Sequence, residues 1–129
     1  MPKFIINKLV RDNYLNIYQE AGQSVIYKKL SGLALRKALL CKFREETTEY
    51  HKAPTADNRL EELADMQEVL DSLAAIDGFS DKDIRKIQEQ KRREKGSFSQ
   101  GIFVQEMELK DSDPWVEYYR NSTEEYEEL

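Results

Sequence analysis

KFREETTEYHKAPTADNRLEELADMQEVLDSL, residues 42–73, sets nine carboxylates into two runs of helical periodicity, parted by a break that carries Pro54. A solvated acidic surface would account for the number of acids. A divalent-metal site would require a particular spacing, and the helix faces separate these two explanations. In the first run the apolar line Leu35, Leu39, Phe43 steps by four, and two further steps of three reach Glu46 and Glu49. In the second run Glu62 and Asp65 lead, by steps of three or four, into Val69, Leu73 and Ile76. Both acid pairs therefore continue stripes that a core would bury. Glu61, Glu68 and Ser72 fall on a more polar line, where solvation is the natural state.

The elements around these stripes follow from punctuation. Apolar residues at helical spacing run from Ser31 to about Lys52, and Pro54 closes that helix. A second helix is expected from Asn58, three residues before Glu61 in a capping-box arrangement, to Gly78. A short connection between consecutive helices makes an antiparallel hairpin. The C-terminal end of one, with Glu46 and Glu49, then meets the N-terminal end of the next, with Glu62 and Asp65. Uncompensated buried charge costs several kcal/mol per ion, so a convergence of carboxylates calls for a cation. Magnesium or manganese suits carboxylate and water ligands. Helical di-iron sites use Glu-x-x-His pairs, and the one histidine, His51, lies five residues from Glu46.

Beyond the hairpin, "RDNYLNIYQEAG" predicts a helix stopped by Gly22, and "SDKDIRKIQEQKRREK" one that starts with Ser80 and Asp83 and ends before Gly96. "DPWVEYYR" predicts a short helix or docked turn. Short peripheral strands are expected near residues 3–6, 24–28 and 101–108, which are rich in β-branched and aromatic residues. The fold expected is mainly all-α: one domain over residues 1–129, with a flexible acidic tail from about residue 121. One hairpin leaves much apolar surface uncovered. A homodimer or higher even homo-oligomer that completes a four-helix-type bundle is therefore expected.

Composition sets the outer bounds. At 129 residues, with 40% hydrophobic and 35% charged residues, the chain is long enough to bury a core. No apolar run approaches the roughly 20 residues of a membrane span, and "MPKFIINKLVRD" has too short an apolar stretch for a signal peptide. A cytoplasmic location is expected, and the single cysteine, Cys41, fits a reducing compartment. A net charge of -5 argues against nucleic acid as the main partner.

Glu46-x-x-Glu49, twelve residues, then Glu62-x-x-Asp65 resembles the signature of the MazG-type all-α nucleoside triphosphate pyrophosphohydrolase superfamily. "NKLVRD" at residues 7–12 resembles the N-terminal signature of its small single-domain, phosphoribosyl-ATP pyrophosphohydrolase-like members, and "KRREKGSFSQGIFV" at residues 91–104 resembles their C-terminal segment. The likeness covers most of the first 104 residues. It departs where those relatives often carry a Lys-Ile-Pro-like run and this chain has "NYL", and where Ser97 stands in place of a second Gly. Both departures bear on the substrate pocket more than on the acids.

The resemblance implies Mg²⁺-dependent cleavage of a nucleotide between the α and β phosphates, giving a monophosphate and pyrophosphate. Glu46, Glu49, Glu62 and Asp65 would then be the metal ligands, with Mg²⁺ or Mn²⁺ bound. Glu45 and Glu46 would be the catalytic candidates, Glu45 either as general base or as an acid supporting the metal ligands from behind. The basic groups available for the phosphates are Lys8, Arg11, Arg92, Arg93 and Lys95. The leading expectation is nucleotide-pool housekeeping on a small-molecule nucleotide. The alternatives are a phosphoribosyl-ATP pyrophosphohydrolase of histidine synthesis, or a non-catalytic helical interaction module. His51 reads as an exposed residue at a helix end, Cys41 as a thiol without chemistry, and Trp115, Tyr118 and Tyr119 as a docking or oligomer surface.

Overall fold

A computed structural model describes residues 1–129. It contains five helices and no strand: α1 (Tyr14–Glu20), α2 (Gly32–Lys52), α3 (Ala56–Ile76), α4 (Asp81–Lys95) and α5 (Trp115–Arg120). The all-α expectation is met. No helix is long and apolar enough to cross a membrane. Packing divides the chain into two units, Met1–Lys91 and Arg92–Leu129.

The first unit is built on the α2/α3 hairpin. Pro54 pushes Ala53 into extended backbone (φ -59°, ψ 124°), which ends α2 where the sequence placed the break. The next helix starts earlier than expected. Thr55, not Asn58, is its N-cap: the Thr55 hydroxyl accepts the Asn58 amide N–H at 3.1 Å. Its extended backbone (φ -130°, ψ 162°) leaves the residues after it free to wind, so α3 gains two residues ahead of Asn58. The helices run antiparallel: Arg36 near the start of α2 pairs with Asp77 just past α3, while Glu46 near the other end meets Glu62 and Asp65.

The helix stops expected at Gly22 and Gly78 are present, and for one reason. After α1, the N–H groups of Gly22 and Gln23 reach the carbonyls of Gln19 and Tyr18. After α3, those of Gly78 and Phe79 reach Ala75 and Ala74. This reversal needs a residue at positive φ, and Gly22 (72°) and Gly78 (75°) supply it. At the start of α4 the Ser80 hydroxyl accepts the Asp83 N–H at 3.1 Å, while the Asp83 carboxylate accepts the Ser80 N–H at 2.9 Å. That reciprocal cap holds the Asp83 carboxyl below its ordinary range, through hydrogen bonds to the charged form.

The core of the hairpin is small. Leu39 (5% exposed), Val69 (6%) and Ala74 are its buried apolar residues, flanked by half-buried Leu35, Phe43, Leu73 and Ile76. With so few groups on the seam, each matters. Leu39→Ala should cost about 3 kcal/mol, from lost transfer energy plus a cavity, read as a lower urea midpoint at unchanged slope. A change below about 1 kcal/mol would show that Leu39 does not anchor the seam.

The strands expected near residues 3–6, 24–28 and 101–108 are absent. An extended segment becomes a strand only when a neighbour completes its hydrogen-bond ladder, and none of the three has one. Their β-branched residues, among them Ile5, Ile26 and Ile102, are instead exposed.

In the second unit, the Asp113 carboxylate accepts the Trp115 N–H at 2.9 Å and starts α5. The rings of Trp115, Tyr118, Tyr119 and Tyr126 pack edge-on or tilted, the closest pair being Tyr119 and Tyr126 at 4.8 Å. Arg120 donates to both carboxylate oxygens of Glu128 (Nε at 3.1 Å to each, Nη2 at 2.7 Å to one), which ties the acidic tail back to α5.

Candidate metal centre

Three of the four acids on the hairpin stripes meet. Glu46 from α2 and Glu62 and Asp65 from α3 each place one carboxylate oxygen so that all three lie within 4.8 Å of one another. Glu46 is 8% exposed, the deepest charged residue of the chain, as expected for an acid that continues the line of Leu39 and Phe43. Glu62 and Asp65 are half-buried.

Glu49 does not join them. It is exposed, and its carboxylate stands outside the group. Three residues advance an α-helix by roughly 300°, so Glu49 sits about 60° round from Glu46 and leaves the seam. Its charge still reaches the site, where it helps to raise the carboxyl of Glu62.

The electrostatics of the cluster are unbalanced. Glu62 is pushed from 4.5 up to about 7, first by a hydrogen bond shared with Glu46, then by burial, then by the charges of Glu46, Asp65 and Glu49. Its Oε2 is buried and accepts no hydrogen bond. A buried carboxylate oxygen without a partner costs free energy, and a hard cation would supply the partner. All three donors are carboxylates, which fits Mg²⁺ or Mn²⁺ rather than a thiophilic or imidazole-bound metal.

Cations from elsewhere in the chain line the rim. Arg11 donates from Nη2 to Asp65 Oδ1 at 2.6 Å, and Lys8 Nζ lies 3.0 Å from Glu45 Oε1. Both basic groups titrate above their ordinary range, chiefly through those hydrogen bonds. Lys42 spans Glu45 (3.8 Å) and Glu46 (3.7 Å). Sequence reasoning passed over Lys42, although its spacing of three and four residues from those acids is the ordinary helix-surface signal. Two of the expected phosphate-binding groups, Lys8 and Arg11, are thus beside the acids. Arg92, Arg93 and Lys95 occupy the last turn of α4 and complement the negative end of that helix; all three belong to the second unit.

Glu45, the general-base candidate, is half-buried between Lys8 and Lys42. His51 is exposed in the last turn of α2, and Cys41 is exposed on the same helix. A separate cavity of about 390 Å³ lies between the end of α3 and the start of α4, lined by Leu70, Leu73, Phe79 and Ile84 among others. It contains no cluster of acids comparable to Glu46, Glu62 and Asp65.

No protein-family model matches the chain, and comparisons with curated proteins and with solved structures find no match.

Proposed function

We propose that this protein is a divalent-metal-dependent nucleotide pyrophosphohydrolase. It would hydrolyse a nucleoside triphosphate between the α and β phosphates, with Mg²⁺ held by Glu46, Glu62 and Asp65. The observation that carries this reading is the convergence of those three carboxylates from two helices, with one Glu62 oxygen buried and unpartnered. The motif spacing that resembles MazG-type enzymes supports it as well. When bound, the metal supplies charge neutralisation at the phosphate oxygens and a positioned water. In the overall reaction water adds to the α phosphorus, the bond to the bridging oxygen breaks, and pyrophosphate leaves.

The protein's own groups have separate tasks. Glu45 and Glu46 would take the water's proton, Glu46 while also holding the cation. Lys8 and Arg11 offer charge to the departing pyrophosphate. Glu49, at the rim, acts through its field unless a ligand draws it inward.

The test is pyrophosphate release from a panel of nucleoside triphosphates and diphosphates with Mg²⁺ or Mn²⁺, beside EDTA controls. Monophosphate plus pyrophosphate from a triphosphate, abolished by EDTA, is the expected result. Silence on the panel with turnover of phosphoribosyl-ATP would select the biosynthetic alternative. Silence on both would leave the hairpin as a binding module.

The working form in this reading is a homodimer or higher even oligomer. Leu33, Leu40, Leu63 and Leu70 are exposed on the hairpin. At about 100° per residue, each lies roughly 100–120° off the buried seam of its helix, and in an antiparallel pair those directions share one side. Glu45 and Glu68 fall on the other side, where Lys8 and Arg11 run. A second copy laid on the leucine side completes the bundle and leaves the acid rim open.

A further inference from the structure

We propose that Arg11 is a built-in counter-cation that competes with the divalent cation for Asp65. Loading the metal would then pass the Arg11 guanidinium from Asp65 to the phosphates of the substrate. This rests on the metal-site reading above and adds to it a role for the N-terminal segment.

The tether is narrow. No helix precedes Tyr14, and Phe4, Ile5 and Ile6 are exposed; residues 1–12 hold to the first unit through the half-buried Leu9 and Val10 and through two ion pairs, Lys8 with Glu45 and Arg11 with Asp65. Both cationic side chains are more than half exposed (58% for Lys8, 54% for Arg11). They lie at the rim and can turn toward solvent without crossing the core. The acids they hold are of two kinds. Glu45 stands outside the three-carboxylate group, whereas Asp65 belongs to it. Arg11 is therefore the cation whose position conflicts with a metal.

Charge decides the direction of the exchange. Glu45, Glu46, Glu62 and Asp65 carry at most four negative charges, and Lys8, Arg11 and Lys42 bring three positive ones to the same rim. Glu49 and Glu68, whose charges also reach this rim, make the balance negative by up to three, and a divalent cation takes up two of those charges. A guanidinium and a metal ion sharing one carboxylate repel each other, and the repulsion is relieved when Arg11 leaves Asp65. The released guanidinium then has the sign a polyphosphate needs. The planar fork of the guanidinium pairs with phosphate in the same two-pronged way it pairs with carboxylate. Glu68, whose charge also reaches Arg11, lies on the same side and keeps the freed side chain near the rim.

Titration calorimetry with Mn²⁺, followed by pyrophosphate titration of the Mn²⁺-loaded protein, tests this on the full chain. The proteins compared are wild type, Arg11→Ala, Arg11→Lys and Glu62→Gln, each checked for helix content by circular dichroism. Arg11→Ala should bind Mn²⁺ about three-fold tighter, because a competing exposed ion pair is gone. Once loaded, the same variant should bind pyrophosphate about ten-fold more weakly. Opposite signs from one substitution are the signature, since a merely structural role would weaken both. Arg11→Lys keeps the charge without the fork, so it should leave Mn²⁺ affinity near wild type and weaken pyrophosphate in part. Unchanged or weaker Mn²⁺ binding by Arg11→Ala overturns the competition, and unchanged pyrophosphate binding overturns the transfer. If wild type binds Mn²⁺ and Glu62→Gln does not, those failures touch this proposal alone. If neither protein binds Mn²⁺, the metal site falls and the proposal falls with it.

Discussion

Glu62→Gln should reduce metal-dependent pyrophosphate release by at least about 100-fold, while leaving the metal-free protein folded and less sensitive to pH. The substitution keeps the volume and one carbonyl oxygen but removes the charge, and a hard divalent cation loses one of its three ligands. Its effect on the fold has the opposite sense. In the native metal-free chain the Glu62 carboxyl titrates at about 7 instead of 4.5, because the hydrogen bond with Glu46, burial and nearby negative charge all favour its neutral form. Between those two values the folded protein holds a proton that the unfolded chain has released. That contribution is complete below about 4.5 and is lost as pH rises through about 7. The EDTA-treated wild type should therefore melt at a lower temperature at about pH 8 than at about pH 5, other titrations being equal. Mg²⁺, which binds the deprotonated site, should offset the loss at the higher pH. Glu62→Gln should flatten both dependences. If the variant keeps wild-type turnover, or if EDTA-treated wild type and variant show the same pH slope, the carboxylate cluster is not the metal centre.

The second large effect concerns assembly. Leu40→Glu with Leu63→Glu should weaken self-association by at least about 100-fold, read by sedimentation velocity across micromolar concentrations. Leu40 and Leu63 lie off the seam on one side of the hairpin and are 46% and 48% exposed. Their replacement therefore does not disturb Leu39 or Val69, and helix content should hold. At a two-fold interface each substitution counts twice, and each places a carboxylate where an apolar side chain was to be covered. A wild-type chain that sediments as a monomer at micromolar concentration, or a double variant that sediments with the wild-type oligomer, would reject this face as the interface.

The two outcomes are independent in a useful way. Glu62 faces the seam and the leucines face away from it, so the first substitution should leave the oligomer intact. The second tests whether catalysis needs the assembly. Turnover surviving in a monomeric variant would place the whole active centre on one hairpin.

Most of the helices were legible because their causes are local. The Ser80–Asp83 cap, the positive-φ glycines at residues 22 and 78 and the chain-breaking Pro54 each act within a few residues, and each does in the structure what its type requires. Thr55 shows the limit of such reading. It and Asn58 are both good caps, and the choice between them rested on which hydroxyl or amide reached an N–H. The expected strands failed for a different reason. β-Branched residues favour extended backbone but cannot supply the neighbouring strand that makes it a sheet.

The stripe positions of Glu46, Glu62 and Asp65 could be read in one dimension, because helical periodicity tells which residues share a face. The exclusion of Glu49 follows from the same periodicity, but the approach of the other three to within 4.8 Å depended on the offset and rotation of α2 against α3, which neither helix fixes alone. The pairing of Arg11 with Asp65 joins residues 54 apart. No periodicity links such residues, and only the folded path of the N-terminal segment along the hairpin brings that guanidinium to that carboxylate.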